Sequence, residues 1–155
     1  MAHTVELRLL NNSSTINVEM GSTLMDVLQS VTLELPYQVL VARVNNVYKS
    51  LGYRVYKPIT VEFFDMRDFE GYRVYQRTLS FVLQKASIEL FPKRKLRIRH
   101  TLGNGFYAEY DDRKALSVEE TMLLKLRMKD IVSRNIPISR SKSLSEEVAV
   151  EYNKY

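Results

Sequence analysis

The pattern of apolar and polar residues divides the chain into a strand-rich first part and a helix-rich second part. Apolar residues alternate with polar ones on both sides of a turn at residues 11–14, which predicts a β-hairpin formed by Val5, Leu7, Leu9, Ile16 and Val18. Thr23 and Asp26 have the spacing of a capping box and predict a helix that ends at Leu35-Pro36. Residues 39–44 predict a buried central strand, Asn45-Asn46 a turn and residues 59–63 a last strand.

Helical spacing dominates beyond residue 65. An amphipathic helix is predicted over residues 74–91 from the positions of Tyr75, Leu79, Val82, Leu83, Ala86 and Leu90. A strand over residues 95–100, the turn Gly103-Asn104-Gly105 and the aromatic strand after it predict a second hairpin. Ser117 and Glu120 form a capping box before a helix with the apolar face Leu124, Met128, Ile131 and Val132. Ser143 and Glu146 predict a third helix, in which the sequence stops, so we expect a longer parent protein.

Composition narrows the classes of function. A chain of 155 residues with 45% hydrophobic and 26% charged residues is typical of one mid-sized or two small globular domains. It contains no cysteine and no apolar run near the roughly 20 residues of a membrane helix. We therefore expect a cytoplasmic protein without disulfides or a membrane partner. A net charge of +5 favours a polyanionic partner, such as nucleic acid.

The strongest sign of a ligand is the basic strand and the tyrosine that faces it across the hairpin. The candidate nucleic-acid-binding residues are Lys93, Arg94, Lys95, Arg97, Arg99 and Tyr107. Alternate arginines on a strand form a positive stripe for phosphates, and Tyr107 offers a stacking surface to an unpaired base. The alternative is a solvated strand whose arginines pair with Glu109, Asp111 or Asp112. His100 continues the alternation of Ile98 and is predicted to be packed or hydrogen-bonded rather than a ligand.

The first part of the chain resembles a known module. Its order of strand, strand, helix, strand and strand is the β-grasp order. At Leu35-Pro36, at residues 44–46 and at residues 61–65 it is similar to the TGS domain of threonyl-tRNA synthetases, some GTPases and stringent-response enzymes. The resemblance implies a ubiquitin-like TGS domain over residues 1–64, within an α+β protein.

The second part resembles the region of threonyl-tRNA synthetases that carries their editing centre. Residues 103–111 read GNGFYAEYD and are similar to the NGFYYDF signature of the second amino-terminal domain. The resemblance implies an editing-domain-like region over residues 65–155, truncated at its end. It places the family's two helical histidines on Phe81 and Lys85, and the second editing pair farther along than this sequence extends. It therefore implies an editing scaffold without catalytic residues or a metal site.

Two runs, at residues 77–86 and 95–100, look closer to bacterial uridine or nucleoside kinases that begin with a TGS domain and a synthetase-like segment. This resemblance implies a parent transferase of the phosphoribulokinase and uridine kinase family. It also implies ATP and Mg for the parent, and a downstream kinase domain as a partner of this chain. The five glycines do not have the G-x-x-x-x-G-K-[ST] spacing of a phosphate-binding loop, so we expect no kinase activity from the chain itself.

Three functions follow. The leading hypothesis is a non-catalytic, regulatory or ligand-binding N-terminal part of a uridine kinase-like protein, with RNA or a nucleotide as the ligand. The alternative is a degenerate synthetase editing-like domain that binds tRNA without hydrolysing it. The third is a structural module that forms oligomers through its aromatic surface.

Overall fold

The computed structural model describes residues 3–103 and 105–138. Asn104 of the predicted turn, and the predicted helix that begins at Ser143 and Glu146, lie outside the described residues. The chain divides into two compact units, Met1–Thr78 and Leu79–Tyr155, with the division inside its longest helix. The predicted boundary between residues 64 and 65 falls in the first unit, and the assignment of functional domains stays a prediction.

The described residues form seven strands and three helices. In chain order they are β1 (Thr4–Leu9), β2 (Ser14–Glu19), α1 (Leu24–Ser30), β3 (Val41–Val44), β4 (Val47–Lys49), β5 (Ile59–Phe64), α2 (Phe69–Leu90), β6 (Leu96–Leu102), β7 (Gly105–Tyr110) and α3 (Val118–Ser133). The first five strands form one sheet in the order β2-β1-β5-β3-β4. β1 pairs with β2 in antiparallel and with β5 in parallel orientation. This mixed sheet confirms the α+β class and the predicted β-grasp arrangement.

Local signals placed most of unit 1 correctly. The capping box is present, since the Thr23 amide donates to Asp26 Oδ2 at 2.8 Å and the Asp26 amide donates to Thr23 Oγ1 at 3.2 Å. The Thr23 amide, and the Thr23 hydroxyl at 2.7 Å, donate to Asp26 Oδ2 and so lower the pKa of the Asp26 carboxyl. Asn45 and Asn46 have positive φ angles of 44° and 66°, as the predicted turn between β3 and β4 requires.

Two predictions for unit 1 were wrong in extent, and one strand was missed. α1 ends at Ser30 rather than at Leu35, because Val31 already has an extended backbone with φ −128° and ψ 148°. The predicted strand of residues 39–44 begins at Val41, but it is buried and lies inside the sheet, between β5 and the edge strand β4, as predicted. β4, which has three residues, was not predicted.

The core of unit 1 lies between the sheet and α1. Leu7, Leu9, Val61 and Phe63 from the sheet meet Leu24 and Val27 from the helix, and each is at most 1% exposed. Asn11, in the first hairpin turn, joins that turn to β5. Its side-chain amide donates to the Phe63 carbonyl at 2.9 Å, and its side-chain oxygen accepts from the Phe63 amide at 2.8 Å.

Unit 2 packs α2 and α3 around a smaller core. Its buried residues are Val82, Ala86, Leu124 and Ile131, with Leu83, Leu90 and Met128 partly buried beside them. Val132 is 63% exposed, and Tyr75 and Leu79 of α2 are also exposed, so both predicted apolar faces were too wide. The predicted capping box of α3 is confirmed by bonds of 2.8 Å and 3.1 Å between Ser117 and Glu120.

β6 and β7 form a separate two-stranded antiparallel ribbon. Its pairing runs from Leu96–Tyr110 to Leu102–Gly105, and it shifts by one residue between Ile98 and His100. Arg99 is therefore the extra residue of a β-bulge.

Gly71 allows α2 to begin close to the end of β5. A Cβ atom at this position would lie 2.0 Å from the Asp65 carbonyl oxygen, which belongs to a buried residue. A contact this short forces the backbone to move.

We expect Gly71→Ala to lower the free energy of unfolding of unit 1 by about 1–3 kcal/mol through overpacking. The change runs against helix propensity, by which alanine is favoured over glycine by about 1 kcal/mol. Urea unfolding, followed through amide signals of β5, measures the effect. Gly52→Ala is the control, because its added Cβ would meet only Ser50 Oγ at 3.9 Å. A Gly71→Ala variant as stable as the control would contradict the prediction.

Candidate nucleic-acid interface

The arginines of the predicted basic stripe are paired with carboxylates on the neighbouring strand and turn. Arg97 forms an ion pair with Asp111, and Arg99 Nε donates to Glu109 Oε1 at 2.8 Å. These hydrogen bonds lower the pKa of both the Asp111 and Glu109 carboxyls. The ribbon therefore carries alternating charges rather than a positive stripe, which is the pairing that the alternative predicted. Contact of Arg97 and Arg99 with RNA stays a prediction.

Arg94 joins the two loops at the base of the ribbon. Its Nε and Nη2 donate to the two carboxylate oxygens of Asp112 at 2.8 and 3.0 Å, and Nη2 also donates to the Lys114 carbonyl at 2.7 Å. The Asp111 amide donates to the Lys95 carbonyl at 3.0 Å. Residues 92–95 and 111–114 therefore lie side by side, and we call them the loop pair. A bidentate arginine bond of this kind fixes geometry as well as charge.

The loop pair carries four exposed cations that form no ion pair within residues 3–103 and 105–138. They are Lys93, Lys95, Arg113 and Lys114. The sequence predicted the first two and missed the last two. The hairpin register could have predicted Arg113 and Lys114. In an antiparallel hairpin the residues that follow β7 return to the start of β6, where Lys93 and Lys95 lie.

Tyr107 has less free surface than predicted. Its ring stacks on His100 with centroids 5.3 Å apart and an interplanar angle of 26°. Its hydroxyl donates to Glu109 Oε2 at 3.1 Å, and this bond raises the pKa of the Tyr107 hydroxyl. His100 is exposed and shares the face of Tyr107, not the face of Ile98, because the bulge at Arg99 shifts the alternation. Base stacking on Tyr107 stays a prediction.

A groove of about 350 Å³ lies beside the loop pair in unit 2. Its apolar lining comes from both helices, the ribbon and the segment before α3, through Leu83, Leu96, Ala108, Leu116 and Leu124. Arg113 and Lys114 also line it, together with Tyr107 and the Glu109 carboxylate, so the groove combines an apolar wall with two cations of the loop pair and one anion.

The two positions that resemble lost editing histidines carry a phenylalanine and a lysine instead of imidazoles. Phe81 is 58% exposed on α2. Lys85 Nζ lies 2.9 Å from Glu89 Oε1, and Arg127 Nε of α3 lies 2.6 Å from Glu89 Oε2. Lys85 is thus part of an ion-pair cluster that joins α2 to α3.

The described residues contain neither a candidate metal centre nor a candidate membrane helix. Within residues 3–103 and 105–138, no three His, Cys, Asp or Glu side chains are grouped so that they could hold a metal ion. In the same part of the chain, no helix has both the length and the apolar character needed to cross a membrane.

Glu89 makes the stability of unit 2 depend on acid pH. The Arg127 hydrogen bond, followed by that of Lys85, lowers the pKa of Glu89 to about 2. The folded pKa is below the unfolded value of roughly 4.3, so the stabilisation is present above that pH and is lost as the pH falls towards 2.

We expect Glu89→Gln to destabilise unit 2 at pH 7 by up to about 1 kcal/mol, the range of partly exposed ion pairs. The difference from the wild type should shrink between pH 4.5 and pH 2. Urea unfolding at several pH values, followed through amide signals of α2 and α3, measures it. Glu6→Gln removes an exposed carboxylate of β1 and is the matched control. A difference that stays constant down to pH 2 would contradict the assignment.

Comparisons with known proteins point to one group of enzymes. No family model matches the chain. The threonine–tRNA ligases of Clostridium kluyveri and Acetivibrio thermocellus are each 29% identical to it over 143 residues, which cover 92% of this chain and 22% of each ligase. That of Clostridium perfringens is 30% identical over 131 residues, which cover 84% of this chain and 20% of the ligase. The chain spans about a fifth of the length of these curated relatives. It is homologous to the N-terminal region of threonine–tRNA ligases.

Proposed function

We propose that this chain is a non-catalytic RNA-binding module that binds tRNA through the loop pair and does not hydrolyse it. Homology to threonine–tRNA ligases over 92% of the chain is the observation that carries the proposal. The names of these relatives specify tRNA as their substrate, and the fold supplies a surface with the charge that a polyanion needs.

The loop pair, rather than the whole basic strand, is the proposed phosphate contact. A cation that already has a carboxylate partner must give it up before it binds a phosphate, so Arg94, Arg97 and Arg99 contribute less. Lys93, Lys95, Arg113 and Lys114 form no ion pair within 4.0 Å among the described residues. Lys95, Arg113 and Lys114 interact with Asp111, Glu109 and Asp112 only at longer range, so they remain easier to transfer to a phosphate. Binding of phosphates by exposed cations releases counterions and therefore weakens steeply with salt.

The predicted uridine kinase parent receives no support from these comparisons. A kinase domain as partner, and ATP and Mg as requirements of the parent, stay predictions from resemblance. The homology supports the tRNA-binding alternative better than the kinase hypothesis.

Fluorescence anisotropy with a labelled tRNA at 50 to 200 mM salt tests the phosphate contact. We expect measurable binding at 50 mM salt that weakens as salt rises. In the double variant Lys95→Ala/Arg113→Ala, the slope of log affinity against log salt should be shallower by about 0.7–0.9 for each phosphate that the variant no longer neutralises.

The matched control is Lys125→Ala/Lys129→Ala, which removes the same charge from exposed positions of α3 in the same unit. Equal effects of the two double variants would show that only net charge matters and would overturn the loop pair as the site. Absence of binding by the wild-type chain at 50 mM salt would overturn the proposed function.

Hydrolysis is tested with a mischarged tRNA. Because Phe81 cannot exchange a proton and Lys85 is held by Glu89, we expect the aminoacyl ester to decay at its rate in buffer alone. Acid gel electrophoresis of the tRNA over time measures the decay, with serum albumin as the protein control. Decay that accelerates in proportion to the chain's concentration would contradict the non-catalytic assignment.

A further inference from the structure

We propose that the groove of unit 2 binds one unpaired nucleobase of an RNA strand whose phosphates contact the loop pair. The inference rests on the proposed function and deepens it, because it specifies which part of an RNA the module recognises. A site of this kind selects single-stranded loops, bulges or ends over continuous duplex.

The size and lining of the groove suit a flat apolar group. Its volume of about 350 Å³ is near the lower end of the roughly 300–1,000 Å³ of ligand pockets. Leucines of both helices and of the ribbon, Leu83, Leu124 and Leu96, form the wall with Ala108 and Leu116. Such a wall favours the face of a base over a charged or fully hydrated group.

Charge complementarity identifies the occupant. Arg113 and Lys114 are at once lining residues of the groove and members of the loop pair. A nucleotide joins an apolar base face to an anionic phosphate within one residue, which matches an apolar wall beside two cations. The one carboxylate of the lining, Glu109, already accepts hydrogen bonds from Arg99 and Tyr107, so the two cations remain for the phosphate. Bases of a duplex are stacked and paired, so only an unpaired base can leave its strand and enter such a groove.

The groove is separate from the positions that resemble editing histidines. Residues of a helix are spaced by about 100°, so Leu83 points about 160° away from both Phe81 and Lys85. Leu83 lines the groove, and Phe81 is exposed elsewhere on α2. The proposed base site is thus a different surface from the one implied by the editing resemblance.

A comparison of two RNA probes tests the inference on the wild-type chain. One is a labelled single-stranded RNA of ten nucleotides, and the other has the same phosphates with abasic sugars. We expect the base-bearing strand to bind about tenfold more tightly, as one buried base typically provides. Equal affinities would overturn the base site while leaving RNA binding in place. Failure of both probes to bind, while the labelled tRNA still binds at 50 mM salt, would overturn the base site, whereas failure of the tRNA as well would overturn the proposed function itself.

Ala108→Leu locates the site by filling the groove without changing a charge. We expect it to reduce the affinity for the base-bearing strand to that of the abasic strand and to leave abasic binding unchanged. Leu102→Ala, on an exposed residue of the same ribbon outside the groove, is the control. A base preference that survives in a folded Ala108→Leu variant would overturn the location.

A second measurement needs no variant and covers the case in which Ala108→Leu does not fold. Strands containing 4-thiouridine, cross-linked to the wild-type chain, should attach to groove residues such as Leu116 or Leu96. Cross-links confined to other surfaces would overturn the site. Competition by an acidic decapeptide with the same affinity as the RNA would show that the cations alone bind, and would also overturn it.

Discussion

The organisation of unit 2 depends on the burial of Tyr110 with its hydroxyl satisfied. Tyr110 is 3% exposed, and its hydroxyl shares a hydrogen bond of 2.8 Å with Ser87 of α2. The Phe91 ring meets it edge-on with centroids 5.8 Å apart, and the Arg94 guanidinium lies 4.1 Å from its ring centroid. A buried hydroxyl without a partner would cost roughly 1–3 kcal/mol, so this bond allows one side chain to join helix, ribbon and loop pair. Because Arg94 lies on the Tyr110 ring and also binds Asp112 and the Lys114 carbonyl, the buried Tyr110 helps to position the loop pair and its cations.

The basic side chains of unit 2 fall into two groups: those that form ion pairs within the protein, and those that remain exposed to a ligand. Arginines form most of the described ion pairs, since a planar guanidinium binds a carboxylate with two parallel bonds. The lysines of the loop pair extend into solvent instead. The number of basic residues therefore overstates the positive charge that a surface offers to a ligand, and the available cations are found from the pairing rather than from the count. In this chain the homology to threonine–tRNA ligases supports tRNA as the partner in the proposed function, and the exposed cations of the loop pair support a polyanion at that surface.

Signals that act within a few residues of sequence made the fold predictable. Both hairpins and the capping boxes at Thr23 and Ser117 could be identified because each depends on neighbours in the chain. Helical periodicity located the apolar faces but not their width, and Val132 was misplaced because only tertiary packing decides how much of a face is covered. The candidate site was less predictable. The partner of each arginine is set by strand register, and the bulge changes that register without any local sequence signal.

Arg99, as the extra residue of the bulge, carries a charge of the ribbon without taking part in its cross-strand pairing. Ile98 faces Ala108 and His100 faces Tyr107, so removal of residue 99 would leave both cross-strand pairs in an uninterrupted ladder. The charge would change, because Glu109 would lose its ion pair with Arg99, whose Nε lies 2.8 Å from Glu109 Oε1. Deletion of this single residue lowers the net charge of β6 and β7 from +1 (Arg97 and Arg99 against Glu109) to 0, and it removes the extra bend and twist that a bulge gives a strand. A one-residue difference in length at this point therefore alters the attraction of the ribbon for polyanions while its cross-strand pairs stay the same.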